Sequence, residues 1–201
     1  MIKLQSETIG GFYKMRELLL HICCAPCSVA CLAQLAEEGI TPTGFWYNPN
    51  IHPYQEYKAR RDTLIDYAQK IGLDLIIRDE YGLQKFTKAV SGDIPNRCAY
   101  CYAVRLDETA RTAKEQGFKA FSTTLTVSPY QNHDLIRKIG EKAAEKYGVE
   151  FRYYDFAPRF REGQQKAREA ELYMQKYCGC IYSEEDRYQK QIQKDRDQFN
   201  Q

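Results

Sequence analysis

Glu17-Leu18-Leu19-Leu20-His21-Ile22 runs directly into Cys23-Cys24-Ala25-Pro26-Cys27-Ser28, and over residues 28–38 the apolar side chains Val29, Leu32, Ala33, Leu35 and Ala36 recur at helical spacing. A short unbroken apolar run suits a strand buried on both faces, and a helical stripe closed by Gly39 suits the helix that covers it. The same unit repeats outward. Residues 43–47 read as a second strand. Pro53 opens a helix carrying Tyr57, Leu64, Ile65 and Ala68 that stops near Gly72, and residues 73–77 form a third strand. A helix over about 98–116 puts Tyr102, Leu106, Ala110 and Ala113 on one stripe, and residues 118–124 follow as a fourth strand. Residues 133–147 are helical, 149–156 a fifth strand, 163–177 a further helix, and the polar stretch from Glu184 a surface helix. This alternation predicts an α/β fold, a parallel sheet with helices on both faces, whose ligands sit beyond the carboxyl ends of the strands. Residues 1–16, aperiodic and containing Gly10-Gly11, read as an N-terminal extension; 17–201 read as one α/β metal-binding catalytic domain with a C-terminal helix.

Composition narrows the function classes. The chain has 201 residues, 43% of them hydrophobic and 28% charged, as in soluble globular proteins. No run approaches the ~18 apolar residues of a membrane span, and the first residues lack the apolar core of a secretory signal. A cytoplasmic protein with no membrane partner is expected. The net charge of +2 neither demands nor excludes nucleic acid, so a basic face must be local. Lys58-Ala59-Arg60-Arg61 and Arg159-Phe160-Arg161 are the clearest clusters, and an aromatic such as Phe160 could stack on unpaired bases.

Eight cysteines are many for a chain without an export signal, and metal or redox chemistry is a better expectation than disulfides. Cys23 and Cys24 lie where the first strand ends and the chain turns, which lets both thiols face one site. The helix start that follows favours thiolates. Arg97-Cys98-Ala99-Tyr100-Cys101-Tyr102 places a second pair at a helix start. Tyr177-Cys178-Gly179-Cys180 supplies a third, with Gly179 giving the backbone freedom to turn both thiols inward. Three such pairs at element boundaries predict a shared metal centre. Four thiolates suit structural zinc or an iron–sulfur cluster. Six candidates exceed what one four-ligand centre needs, which points to a second metal or a working thiol. Cys27 and Cys31, four apart on a helix, also read as small core residues, and Cys24-Ala25-Pro26-Cys27 alone matches a dithiol redox motif. A thiol–disulfide oxidoreductase using Cys24 and Cys27, and a nucleic-acid-binding module with structural zinc, are the competing readings.

The ordered motifs Leu18-Leu-Leu-His-Ile-Cys-Cys-Ala-Pro-Cys-Ser28, Tyr47-Asn-Pro-Asn-Ile-His-Pro53, Arg97-Cys-x-x-Cys-Tyr102, Ser122-Thr-Thr-Leu125 with Ser128-Pro-Tyr130, and Tyr177-Cys-Gly-Cys-x-Tyr-Ser183 resemble the cobalamin-independent epoxyqueuosine reductases of the QueH type. The resemblance runs from about residue 17 to 190. It implies an adenine-nucleotide α-hydrolase-like (HUP-like) fold and reduction of epoxyqueuosine to queuosine at the wobble position of the tRNA anticodon. It also implies a 4Fe-4S cluster, with a second, mononuclear iron beside it. Carried over residue by residue, metal ligation falls on Cys23, Cys24, Cys98, Cys101, Cys178 and Cys180; Asp134 and Asp155, each just after a late strand, are candidate oxygen ligands of a second iron or else structural residues.

Removing an epoxide oxygen to leave an alkene takes two electrons and two protons and releases water. No glycine fingerprint for a dinucleotide or a phosphate loop occurs, so an external electron donor is expected. His52, Tyr130 and His133, each just beyond a strand end, are the candidate proton donors. His21, inside the apolar strand, reads as a satisfied core histidine. Asn48 and Asn50, on a loop stiffened by Pro49 and Pro53, offer base-edge hydrogen bonds or simply cap the next helix. Ser122 and Thr123 could cap the chain or bind polar substrate groups. Arg60 and Arg61 are the candidate phosphate contacts.

Overall fold

The computed structural model describes residues 16–200; residues 1–15 of the expected extension lie outside them. Five strands form one parallel sheet in the order β3-β2-β1-β4-β5. They are β1 (Arg16–His21), β2 (Thr43–Trp46), β3 (Leu75–Ile77), β4 (Phe118–Thr123) and β5 (Glu150–Phe151). The helices are α1 (Ala25–Glu37), α2 (Tyr54–Ile71), α3 (Leu83–Val90), α4 (Arg97–Glu115), α5 (His133–Tyr147), α6 (Phe160–Glu169) and α7 (Ile181–Phe199).

The first strand shows why both faces are covered. Successive side chains of a strand point to opposite faces. Leu18, Leu20 and Ile22 enter one apolar cluster with Ala30 and Leu35 of α1 and Tyr57 and Leu64 of α2. Leu19 enters the other, with Leu106 and Ala110 of α4 and Ile136 of α5. From β1 the chain winds outward through β2 to β3, then returns to place β4 on the other side of β1. The direction of winding reverses between β1 and β4, and their carboxyl ends flank the crevice where such sheets bind ligands.

Several expected elements have different limits. Helix α1 begins at Ala25 rather than Ser28, because Pro26 is tolerated in a first helical turn. Helix α3 lacked a sequence assignment; Phe86 and Val90, four apart, are its buried side chains. The expected strand over 149–156 is two residues long. After Arg152 donates its backbone N–H to the Phe121 carbonyl at 3.0 Å, the chain leaves the sheet. Tyr153 then bonds His133, Tyr154 stacks on Phe156, and Asp155 accepts the Ala157 N–H at the head of a 3-10 turn, Ala157–Arg159. The helix expected over 163–177 runs from Phe160 to Glu169 and closes at Glu171, whose φ is 55°. Tyr173 and Tyr177, inside the expected helix, instead donate their hydroxyls to Glu56 and to the His52 carbonyl. Among the described residues, no helix is long and apolar enough to cross a membrane.

Candidate metal centre

The crevice between β1 and β4 is lined with sulfur. The Sγ atoms of Cys23, Cys24 and Cys27 all lie within 4.8 Å of one another, with Cys23 and Cys24 at 3.9 Å. Cys24 is the N-cap of α1 and Cys27 lies in its first turn, so the orphan amides and the dipole of the helix face this group. The end of β4 closes it from the other side. The Cys23 N–H donates to Thr124 Oγ1 at 3.2 Å, and that hydroxyl is 3.5 Å from Cys23 Sγ. Hydrogen bonds from Cys24 and Cys27, with Thr124 adding to them, hold the Cys23 thiol well below its ordinary pKa. Burial lifts Cys24 well above it, and bonding to Cys23 and Cys24 does the same to Cys27. The group is therefore poised to release a first proton from Cys23. Cys27, which the sequence reading left outside the ligand set, belongs to this group. Cys31 is fully buried and donates its thiol to the Cys27 carbonyl at 3.2 Å, a core residue.

The other two pairs arrive on α4 and on the turn before α7. Cys101 and Cys180 pack in one apolar cluster with Phe86 and Val90, while Cys98 and Cys178 are exposed. Burial pushes Cys101 up to about 12, against the pull of the Arg105 charge. Arg105, a residue without a sequence assignment, is 2% exposed. Its Nη2 donates to Cys101 Sγ at 3.0 Å and its Nε to the Cys101 carbonyl at 3.0 Å. Arg105 forms no ion pair with a carboxylate among the described residues; the ionisable groups around it are cysteines, Cys101 first, then Cys178 and Cys23. Gln131 donates to Cys178 Sγ and Gln175 to Cys27 Sγ, both at 3.4 Å.

Arg60 is buried rather than presented to solvent. It pairs with Glu56 at 2.6 Å, and its Nη1 and Nη2 donate to the carbonyls of Cys178 and Tyr177, both at 2.9 Å. Gly179, at φ +148°, threads between Ile51 and this guanidinium; a Cβ there would stand 3.2 Å from Ile51 and 3.3 Å from Arg60. The buried arginine thus holds the third cysteine pair. Arg61 is paired with Asp62 and Asp79, Lys58 with Asp62, and Arg159 with Glu37 and Glu162. Much of the expected basic surface is internally neutralised.

His52 is buried. Its backbone N–H donates to the Gly179 carbonyl at 2.7 Å, Nδ1 accepts the Ile181 N–H at 3.4 Å, and Nε2 donates to the Pro49 carbonyl at 3.2 Å. Desolvation lowers its pKa to about 4. His21 bridges three strand ends. Its Nδ1 meets Thr123 Oγ1 at 2.9 Å and its Nε2 meets Asn48 Oδ1 at 3.2 Å. Burial lowers it to about 4, a neutral core histidine. Asn48 donates to the Ile22 carbonyl and Thr123 caps the turn after β4, so both are engaged inside the fold. Ser122 is likewise buried, and Asn50 is buried with Oδ1 unbonded. His133 stands half-buried between Tyr153 and the Ser128 carbonyl, both at 3.0 Å. Tyr130 is 86% exposed and meets Phe160 edge-on at 6.2 Å. Asp155 and Asp134 are both exposed.

Fold and site together define a doubly wound α/β protein with a thiol centre at its switch point. The profile of the family described as "QueH: Epoxyqueuosine reductase QueH" matches residues 18–186. Three proteins bearing the name epoxyqueuosine reductase QueH are similar over most of the chain. The one from Dehalococcoides mccartyi is 36% identical over 174 residues, 87% of this chain and 96% of its own length. That from Thermotoga maritima is 34% identical over 186 residues, 88% and 94% of the two chains. That from Haemophilus influenzae is 36% identical over 179 residues, 85% and 72%. The chain belongs to the epoxyqueuosine reductase QueH family.

Proposed function

We propose that this protein reduces epoxyqueuosine at the wobble position of a tRNA anticodon. The C–O bonds of the epoxide break, two electrons and two protons are taken up, the alkene of queuosine forms and water leaves. Family membership supports the reaction, and the observation that carries the cofactor is the Cys23–Cys24–Cys27 thiol group at the switch point, with the Cys98–Cys101 and Cys178–Cys180 pairs near one another and Arg105 within reach of both sets. The donor set is all sulfur, is assembled at two helix starts and a glycine turn, and suits a 4Fe-4S cluster. Cys23, Cys24, Cys98, Cys101, Cys178 and Cys180 would hold it together with Cys27, and the surplus over four ligands leaves sulfur for a second, mononuclear iron. Such a centre, when loaded, supplies electrons received from an external donor and a Lewis acid for the epoxide oxygen.

The residues around it divide the remaining work. Arg105 compensates the negative charge of the thiolates. Thr124 and the first turn of α1 keep Cys23 ready to ligate. His133 joins the Tyr153 hydroxyl to partly open space and is the better-placed proton carrier, because His52 is sealed inside the fold. Tyr130 and Phe160 offer open ring faces one residue from Gln131, which touches Cys178; unpaired anticodon bases would stack there. The test is iron and sulfide analysis of anaerobically purified protein, with nucleoside analysis of tRNA bearing epoxyqueuosine after incubation with a low-potential reductant. Iron, sulfide and conversion to queuosine are expected. Stoichiometric zinc without iron or sulfide, and no conversion, would overturn the reading.

A further inference from the structure

Beside Cys178 stands a side-chain amide whose direction the fold fixes. Gln131 lies in the segment before α5. Its Nε2 is 3.4 Å from Cys178 Sγ, and its Oε1 is 2.7 Å from the Tyr102 hydroxyl. The oxygen and nitrogen of such an amide are assigned from their hydrogen-bond partners, and Tyr102 supplies the assignment. It is buried on α4, and its hydroxyl oxygen accepts the backbone N–H of Asn132, the N-cap of α5, at 3.4 Å. With Oε1 toward it, the phenol proton has an acceptor, and 2.7 Å is an ordinary O–H···O separation. The reverse orientation would aim a second N–H at the same oxygen and leave that proton buried without an acceptor, which is costly. The three links therefore form a one-way relay: Asn132 N–H to Tyr102, Tyr102 O–H to Gln131, Gln131 N–H to sulfur.

Gln175, the amide beside Cys27, lacks such a lock. Its Nε2 faces Cys27 Sγ at 3.4 Å, and its Oε1 is buried without a partner among the described residues. Its two ends can exchange and serve a thiol or a thiolate alike, which Gln131 cannot do. A thiol is a weak acceptor, so a fixed N–H gains most when the sulfur carries negative charge. Hydrogen bonds to the sulfurs are among the influences that set the potential of an iron–sulfur centre, because an added electron increases the negative charge that the donor faces. We propose that Gln131 is a positioning residue of the centre, held by Tyr102 to donate to Cys178 as a metal-bound thiolate, and that it strengthens metal retention and raises the midpoint potential. This role rests on the iron-loaded reading of the centre and not on the substrate.

Gln131→Glu separates donation from bracing: the carboxylate still accepts the Tyr102 O–H but has no N–H for sulfur. Gln131→Met removes both bonds without adding a charge. Midpoint potentials are measured on the anaerobically purified, iron-loaded proteins. Metal retention is measured by chelator competition, once with iron and once with Zn2+ added to the metal-free proteins. Both variants should shift the one-electron equilibrium toward the oxidised form by about threefold to about tenfold, a potential ~28 to ~59 mV more negative. Both should also lose either metal about threefold to about tenfold more readily, the scale of one hydrogen bond. Tyr102→Phe, which frees the amide to turn, should move both readouts the same way by less. A mere brace of the loop predicts native values in Gln131→Glu, whose Tyr102 bond is intact, and that result would overturn the assignment. So would a shift in Gln131→Glu with native values in Gln131→Met, a bare effect of charge. If the native protein takes up no iron while zinc retention weakens in both variants, the iron reading fails and the relay stands. Iron uptake with unchanged potential and retention in both variants refutes the relay alone.

Discussion

Replacing Arg105 with methionine tests whether the buried guanidinium belongs to the fold or to the centre. Moving a guanidinium out of water costs several kcal/mol unless an anion answers it. Here no carboxylate does, and Cys101, whose thiol is lifted to about 12, is neutral at pH 7 in the metal-free protein. In the metal-free form the buried cation is hydrogen-bonded only to a thiol and a carbonyl, and Cys23 is the one neighbouring thiol held low enough to ionise. Ligation converts the neighbouring thiols to thiolates, and a charge-assisted bond is worth about 1.5–3 kcal/mol. Arg105→Met should then weaken iron retention against a competing chelator by about tenfold to about a hundredfold. It should also shift the midpoint potential of the loaded protein to more negative values, since a positive charge beside the reducible group is gone. The melting temperature of the metal-free protein should stay level or rise. Arg105→Lys should recover the potential better than the retention, because it restores the charge without the planar fork. If Arg105→Met destabilises the metal-free protein by several kcal/mol while chelator competition and potential match the native protein, Arg105 is a brace of α4 and not part of the centre.

Cys27→Ala should cost the protein iron under anaerobic purification, and Cys31→Ala should not; equal iron contents in the two variants would remove Cys27 from the ligand set. Arg60→Met leaves Glu56 buried without its partner and should cost about 3–5 kcal/mol in denaturant unfolding, whereas Arg61→Ala, at the surface end of its ion pairs, should cost no more than about 1 kcal/mol. Equal losses would mean that Arg60 does not hold the Tyr177–Gly179 turn. His21 and His52 are both lowered to about 4 by burial, below the ~6.5 of a free imidazole. The unfolded chain therefore takes up protons first: the stabilisation is fully present above about pH 6.5, is lost as pH falls, and is exhausted below about pH 4. Each ring contributes a slope of up to about 1.4 kcal/mol per pH unit in that window. Unfolding free energies that are flat between pH 7 and 5 would show both rings to be solvated.

The sheet was legible because Leu18–Ile22 and the helical stripes of α2, α4 and α5 each bury one continuous pattern, and α5 spans the expected residues 133–147. Residues 170–180 were not, because their spacing mimics a helix while the side chains of Tyr173, Gln175 and Tyr177 are committed to Glu56, Cys27 and His52. Those partners lie far away in sequence, and no local pattern announces them. The cysteine pairs were readable from spacing. Arg105 was not singled out, although it lies one helical turn beyond Cys101 on the same face, the i,i+4 relation that brings side chains together. The difference between Arg60 and Arg61 is invisible in the sequence for a similar reason: adjacent helical positions point in different directions, and only the packed turn at Tyr177–Gly179 shows which arginine turns inward.

That turn has a consequence for biogenesis. Arg60 and Cys178 are 118 positions apart, and the contact between them is made entirely of protein atoms. The last cysteine pair leaves the ribosome long after the first. Closing so long a loop carries an entropic cost, which the Glu56–Arg60 bracket and the His52–Gly179 hydrogen bond help to offset. The seat of the last cysteine pair is thus a long-range tertiary contact, and the chain must be translated as far as Cys178 before Arg60 finds its carbonyl partners.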